Sequence, residues 1–412
     1  MYLNNYQYLK NKETTKLILL ILFSLLIRIP VILIFGDSNL ENEWGVLVNN
    51  LIINQTLAFD YLDPALDKFL LPNVWMPPLY AYYLYFFSFF NLEQQQYIQL
   101  ILFSQIFLSL LSVVVFYKIN KLFFSQQISF FGSLLFSLFP LYLYACGQIS
   151  SVTLQVFLAI LFLYFIFQFI KKRNFLSIFL LSFIGGLSIL LRGEFVLILL
   201  ISFLYLFFYF KITIKNISLM ILIILLTISP YLIRNMVVLD TIGITKSLGY
   251  NLWKGNNPNS LVEGGVTIDE NLKKEINNIP KDKFYGINFN KVFLDRATEN
   301  IISDPIRYLT LFNKKFMSFL FIDIHSSRQD YYKLLHYLPV LVLAITSLIG
   351  IILSDKKSNK LNYLILIYFV NIIIFSFFFI LPRYKLFIFP FQIIFTNVLI
   401  EYISKRYFRR NE

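Results

Sequence analysis

Seven carboxylates fall between residues 37 and 96, Asp37, Glu41, Glu43, Asp60, Asp63, Asp67 and Glu93, against one base, Lys68, in a chain of net charge +13. Asp37, Glu41 and Glu43 open this stretch beside Trp44, and Trp75-Met76-Pro77-Pro78-Leu79-Tyr80 closes it. Carboxylates gathered in one loop suit general-base work, in which an ionised acid takes a proton from an attacking hydroxyl or amine. A loop that must cross a membrane also sheds Lys and Arg, which explains the missing bases but not the acids at its entrance. The opposite charge stands elsewhere: Arg192, Arg234 and Arg383 each sit at the end of an apolar run. Guanidinium pairs bidentately with phosphate and stays charged, so these helix ends, brought together, would make a cationic pocket opposite a carboxylate.

The elements that must position these residues are apolar. Of 412 residues, 58% are hydrophobic and only 14% charged, far from the balance of a water-soluble domain, so the chain reads as an all-α polytopic membrane protein. Runs long enough to span the hydrocarbon core recur near residues 17–35, 97–117, 127–146, 151–170, 174–191, 194–210, 217–233, 334–354, 361–381 and 384–402, about ten in all. Basic clusters alternate with them: Lys10, Lys12 and Lys16; Lys118 and Lys121; Lys171, Lys172 and Arg173; Lys211 and Lys215; Lys356, Lys357 and Lys360; Lys405, Arg406, Arg409 and Arg410. That pattern puts both termini in the cytoplasm and the acidic loop outside, in the cell (inner) membrane. It also accounts for the positive charge without a nucleic-acid partner. The first run, after three lysines, is too long for a signal-peptide core and reads as a retained anchor.

Three regions follow: a transmembrane module over 1–233 that includes outer loop 36–97, an extracytoplasmic lobe over 234–332, and C-terminal helices over 333–412. Within the loop, Trp44, Leu47, Val48 and Leu51 recur at helical spacing, predicting a surface helix over 41–54 with Glu41 near its apolar stripe. A second interfacial helix is expected from Pro77, with an irregular linker between the two. In the lobe, Gly255-Asn256-Asn257-Pro258 carries turn chemistry and Asp304-Pro305 opens a helix to about Phe321. Lys314 and Lys315 read as headgroup contacts, Cys146 as packing, and His325 and His336 as interfacial hydrogen-bonders. One cysteine and two histidines give no intrachain disulfide and no zinc framework, so no cofactor is expected and divalent-metal dependence is open.

No Walker A, HExxH, GxSxG or GxGxxG motif is present. Instead the anchor followed by Glu41, Glu43 and Trp44, the Pro77-Pro78-Leu79-Tyr80 element, the span end Gly186 to Arg192, Pro230-Tyr231-Leu232-Ile233-Arg234-Asn235, Gly255 to Pro258 and Arg383-Tyr384 together resemble GT-C fold glycosyltransferases. Within these, the chain is similar to the protein O-mannosyltransferase and lipid A aminoarabinose transferase group. The resemblance implies an inverting transfer from a polyprenyl-phosphate sugar to a protein, lipid or glycan acceptor, with the base in the first outer loop. It implies that Arg234 and Arg383, and less directly Arg192, hold the donor phosphate. It also implies that Trp44, Trp75, Pro78, Tyr80, Asn256 and Asn257 line the substrate loops. The chain departs from the group's Asp-Glu pair before an aromatic: Leu40 stands at the Asp position and Glu41 at the Glu position relative to Trp44. Among the acids the order Glu41, Glu43, Asp37 follows, with Asp37 read as a helix-entry residue.

Other readings of the same residues are plain. An acid in this loop is also consistent with simple solvation, Arg192 and Arg383 with snorkelling to headgroups, and Arg234 with fixing the exit of its span. A transporter or flippase is the rival from another class. It is disfavoured by charges that stand near span ends, as with Arg28 and Glu401. An O-antigen ligase or polymerase would share the arginine-rich face without needing the acidic loop.

Overall fold

The computed structural model describes residues 2–63, 66–324, 326 and 333–410. Its order is α1 (Tyr2–Phe35), α2 (Glu43–Asn54), β1 (Ala58–Asp63), β2 (Leu66–Pro72), α3 (Pro78–Ser88), α4 (Gln94–Asn120), α5 (Gln126–Leu138), α6 (Pro140–Cys146), α7 (Val152–Lys172), α8 (Phe175–Leu191), α9 (Phe195–Phe210) and α10 (Ile214–Leu239). The lobe follows as α11 (Leu248–Asn256), α12 (Glu270–Asn277), α13 (Tyr285–Ser303) and α14 (Pro305–Leu320), and then α15 (Leu334–Ile352), α16 (Asn359–Ser376), a 3-10 turn (Pro382–Phe387) and α17 (Phe389–Arg410). The ten apolar runs fall mainly on helices, though 361–381 outlasts α16, which ends at Ser376, and 384–402 begins on the 3-10 turn before α17. Among the described residues, six helices are long and apolar enough to cross a membrane, seven if the bent pair α5–α6 is one span, while α8 and α9 are apolar but shorter. The chain is a multi-pass membrane protein.

Two breaks matter for the site, and both are written by proline. Phe139 is extended (φ −63°, ψ 121°) because the ring of Pro140 disfavours the helical region for the residue before it, and α6 leaves α5 at 54°. Pro77 is likewise extended, and Pro78 starts α3 at the first helical position, where its missing N–H is no loss. The Asp304-Pro305 pair opens α14 as the sequence predicts, with the Asp304 carboxylate accepting from the Arg307 N–H at 3.0 Å.

The first loop departs from expectation in two respects. Its linker is an antiparallel hairpin, β1 on β2, with Ala58 opposite Pro72 and a register shift after Tyr61. Its first helix starts later than the stripe suggested: Asn42 is the N-cap, accepting from Trp44 N at 3.1 Å and Gly45 N at 3.3 Å, so Glu41 stands outside the helix. The apolar stripe itself is turned into the protein, with Leu47 and Val48 fully buried and Trp44 edge-on to Tyr80 of α3 at 4.9 Å.

Arg28 also differs from its expected place near a span end. It is fully buried, seven residues before the end of α1, about 10 Å along the axis. Its Nε donates to Ser109 Oγ of α4 at 3.0 Å, and its Nη1 to Ser24 O at 3.0 Å and Ser137 Oγ of α5 at 3.3 Å. Its Nη2 has no partner among the described residues. Hydroxyls and a carbonyl, with no carboxylate, hold this cation between three helices.

Candidate functional site

Asp37, two residues past α1, is the acid of the loop entrance that the fold engages. Its N–H donates to Gly147 O at 2.9 Å, and its carboxylate accepts from Ile149 N at 2.6 Å. Asn42 completes the clasp by donating its side-chain N–H to Ile149 O at 3.1 Å, and Gln148 reaches back to Phe35 O at 2.9 Å. The turn after α6 is therefore zipped to the loop after α1. From the other side Gln105 of α4 donates to Cys146 O and Gln148 O, and itself accepts from the Tyr80 hydroxyl at 2.9 Å. Partial burial pushes the Asp37 carboxyl above the ordinary carboxylate value, the Ile149 N–H opposing it. Glu41 and Glu43 are exposed.

Arg192, at the end of α8, lies over the face of Tyr384 at 5.7 Å, and Arg383 lies over the same ring at 5.7 Å. Arg192 is half-buried, its Nε has no partner among the described residues, and its nearest carboxylate is Glu194 at 3.8 Å. Arg383 is exposed. Helix α6 joins this corner to the acidic one. Its C-terminal end runs into the turn that holds Asp37, and its Tyr142 donates to Leu386 O at 2.7 Å, in the 3-10 turn that carries Arg383 and Tyr384.

Arg234 is not part of that corner. Its Nη1 donates to Asn73 O at 3.0 Å and Asn235 Oδ1 at 2.7 Å, and its Nη2 to Leu57 O at 2.8 Å. Leu57 and Asn73 flank the two strands and are themselves bonded, so Arg234 clamps the neck of the hairpin onto α10. The structure thus brings two of the three arginines together and gives the third a role in the frame.

The residues expected to line substrate loops are largely engaged by the protein. Asn256 donates to Leu252 O and Phe377 O and accepts from Lys315 at 2.8 Å, and Asn257 donates to Trp253 O and Gly265 O. Trp44, Pro78 and Tyr80 are buried. Trp75 packs between Phe59 of the hairpin and Phe289 of α13, tying loop to lobe. Lys315 is not a headgroup contact: it is fully buried, also donates to Gly255 O at 2.8 Å, and burial pulls its ammonium down to about 7. The helix turns that lysine inward onto the glycine-asparagine loop. The side chains of Asp63, Asp67 and His325 lie outside the described residues.

Residues 76–233, from the entry to α3 through most of α10, match the family model described as dolichyl-phosphate-mannose-protein mannosyltransferase. That stretch holds Arg192 but neither Asp37 nor Arg383. Among solved structures, the oligosaccharyltransferase of Archaeoglobus fulgidus tethered to an acceptor peptide with the NVT sequon is similar over 95% of this chain and 50% of its own, at 12% identity and TM-score 0.57. The fold is GT-C. The apo form of that enzyme matches over 95% of this chain and 51% of its own at 11% identity and TM-score 0.54. Its complex with Zn and sulfate matches over 95% and 50% at 14% identity and TM-score 0.54. The chain thus spans about half the length of these structures. No curated protein matches it by sequence. Among its described residues, no three His, Cys, Asp or Glu side chains converge as a metal site.

Asn42, Gln105, Gln148 and Ile149 are functional-site residues that sequence reading missed. Only Asn42, a capping residue type just before an apolar run, carried a signal of its own.

Proposed function

We propose that the chain is an inverting glycosyltransferase that moves a sugar from a polyprenyl-phosphate donor to an acceptor at the extracytoplasmic face of the cell membrane. The observation that carries this reading is Asp37, a carboxylate half-buried at the end of α1 and held at 2.6 Å by the turn after α6, the helix that also meets the Arg383 corner. In this reading the Asp37 carboxylate takes the proton of the acceptor O–H or N–H as the acceptor lone pair bonds to the anomeric carbon. The carbon–oxygen bond to phosphate breaks, its electron pair passing to the phosphate oxygen, and attack opposite that bond inverts the centre. Phosphate is a competent leaving group, so the protein's tasks are placement, a base, and donors aimed at the developing charge. Arg192, with its free Nε, and Arg383 beside it supply those donors. The acceptor peptide held by the archaeal structure makes a protein chain the first acceptor to try.

Purified protein in liposomes with a polyprenyl-phosphate sugar and an acceptor peptide is expected to yield glycosylated peptide and polyprenyl phosphate. The new linkage should have the opposite anomeric configuration to the donor by NMR. A retained configuration, or no donor consumption, overturns the proposal.

The face of the membrane has its own test. The basic clusters lie at the ends of helices away from Asp37, as Lys118 does at the end of α4, which supports cytoplasmic termini. Cysteine placed at exposed Ser38 should react with an impermeant thiol reagent in intact cells, and cysteine at exposed Ser125 should not. The reverse labelling inverts the topology and removes the extracytoplasmic site.

A further inference from the structure

At the end of the bundle away from Asp37, α4, α9 and α15 finish, α16 begins and α17 passes by. A cavity of about 640 Å³ lies among them. That is within the roughly 300–1,000 Å³ of sites that enclose a small ligand. Its wall is mixed, with Phe123 and Phe124 of the α4–α5 turn, Phe210, Leu361 and Val398 as the apolar part and Ser358 and Asn359 as uncharged polar lining. Its mouth is charged with both signs: Asp355 and Lys360 from the α15–α16 turn, and Glu401 and Lys405 from α17. Glu401 and Lys405 pair at 2.9 Å with the lysine largely exposed, so this pair stands at the rim. The α15–α16 turn is firmly built: Asp355 accepts from Lys357 N, Asn362 donates to Lys356 O, and Tyr205 of α9 donates to Asn359 O at 3.0 Å.

A cavity with one apolar side and one charged side, at the level of the helix ends, suits an amphiphile. Two carboxylates and two ammoniums at that mouth suit a headgroup that is itself zwitterionic. A carboxylate also asks for N–H donors, which a primary ammonium has and a quaternary one lacks. We propose that this cavity is a lipid site for a glycerophospholipid whose headgroup carries a phosphate and a primary ammonium, with one acyl chain against Phe124 and Val398. The site is independent of the donor site at the other end of the bundle.

The test is native mass spectrometry of the full chain mixed with equal amounts of phosphatidylethanolamine, phosphatidylcholine and phosphatidylglycerol of the same acyl length. One phosphatidylethanolamine should be retained at least about fivefold over each of the others. Asp355→Asn combined with Glu401→Gln, at the rim, should bring that ratio near one, and Val398→Trp should lower retention of all three by filling the pit. Thermal unfolding checks that each variant is folded, and if Val398→Trp is not, the rim variant decides. Equal retention of the three lipids by the native chain, preference for phosphatidylglycerol, or an unchanged ratio in the rim variant overturns the proposal. Displacement of the lipid by soluble phosphoethanolamine also overturns it, by assigning the site to a soluble phosphate compound.

Discussion

Asp37→Asn is expected to lower transfer by roughly 10²- to 10⁴-fold, the usual contribution of a general base, while the protein stays as stable as before or becomes more so. The two halves of this expectation have one cause. Asparagine keeps an oxygen that accepts from Ile149 N, so the clasp between the loop and the α6–α7 turn survives. What is lost is the charge. Burial raises the folded-state pKa of Asp37 above its unfolded value, so the fold binds its proton more tightly, and stability falls as pH rises through that window. An uncharged side chain removes that cost. The same shift places the acid limb of the rate profile above the ordinary carboxylate range, and Asp37→Asn should abolish that limb in whatever activity remains. Glu41→Gln and Glu43→Gln, both at exposed positions, should turn over at close to the native rate. If either of those removes transfer while Asp37→Asn retains it, the base has been misassigned.

The second large effect concerns the donor. Arg192→Lys and Arg383→Lys should each weaken donor use by about 10- to 100-fold, because lysine supplies a point charge where a planar fork is needed, and a bond to a charged group contributes about 1.5–3 kcal/mol. The loss should appear in the donor KM or in kcat/KM for the donor, with the acceptor dependence unchanged. Arg234→Ala should behave differently. It removes two hydrogen bonds that hold the hairpin neck to α10 and a third to Asn235 within that helix, so the expected result is a lower Tm, with the residual activity showing an ordinary donor KM. A donor KM raised by Arg234→Ala and unmoved by the Arg192 and Arg383 variants would exchange their roles.

These assignments differ from the sequence-based order for reasons that can be traced residue by residue. Helix positions were legible because period and length are local: the Trp44, Leu47, Val48, Leu51 stripe and the Asp304-Pro305 start both lie where the pattern puts them. The hairpin was not, since the sequence between Ala58–Asp63 and Leu66–Pro72 is Pro64-Ala65, not the Asn-Gly or Asp-Gly pair that marks two-residue loops. The resemblance to GT-C proteins was carried by motif order along the chain. The ranking of acids depended on a contact no motif records: Asp37 meets Ile149, 112 positions away, through a backbone N–H that any residue offers. The clamp made by Arg234 was hidden for the matching reason, as two of its three partners are backbone carbonyls. By contrast, the Arg383-Tyr384 pair was visible, but its convergence with Arg192 required the fold.

Arg28 has a consequence for how the protein is made. An arginine near the centre of a helix costs about 2.5–3.5 kcal/mol on insertion into a bilayer, and α1 emerges from the ribosome before α4 and α5. Two of the groups that satisfy this guanidinium, Ser109 and Ser137, are synthesised 81 and 109 residues later. At 5–20 residues per second, α1 waits roughly 5–20 s for the second of them. During that interval the anchor carries a cation whose one partner among these groups is Ser24 O of its own helix, and it gains its full hold on the membrane only when α4 and α5 close around it. Assembly of α1, α4 and α5 is therefore coupled. A nascent chain halted before Ser137 should leave α1 easier to extract from the membrane than the same helix in the finished protein.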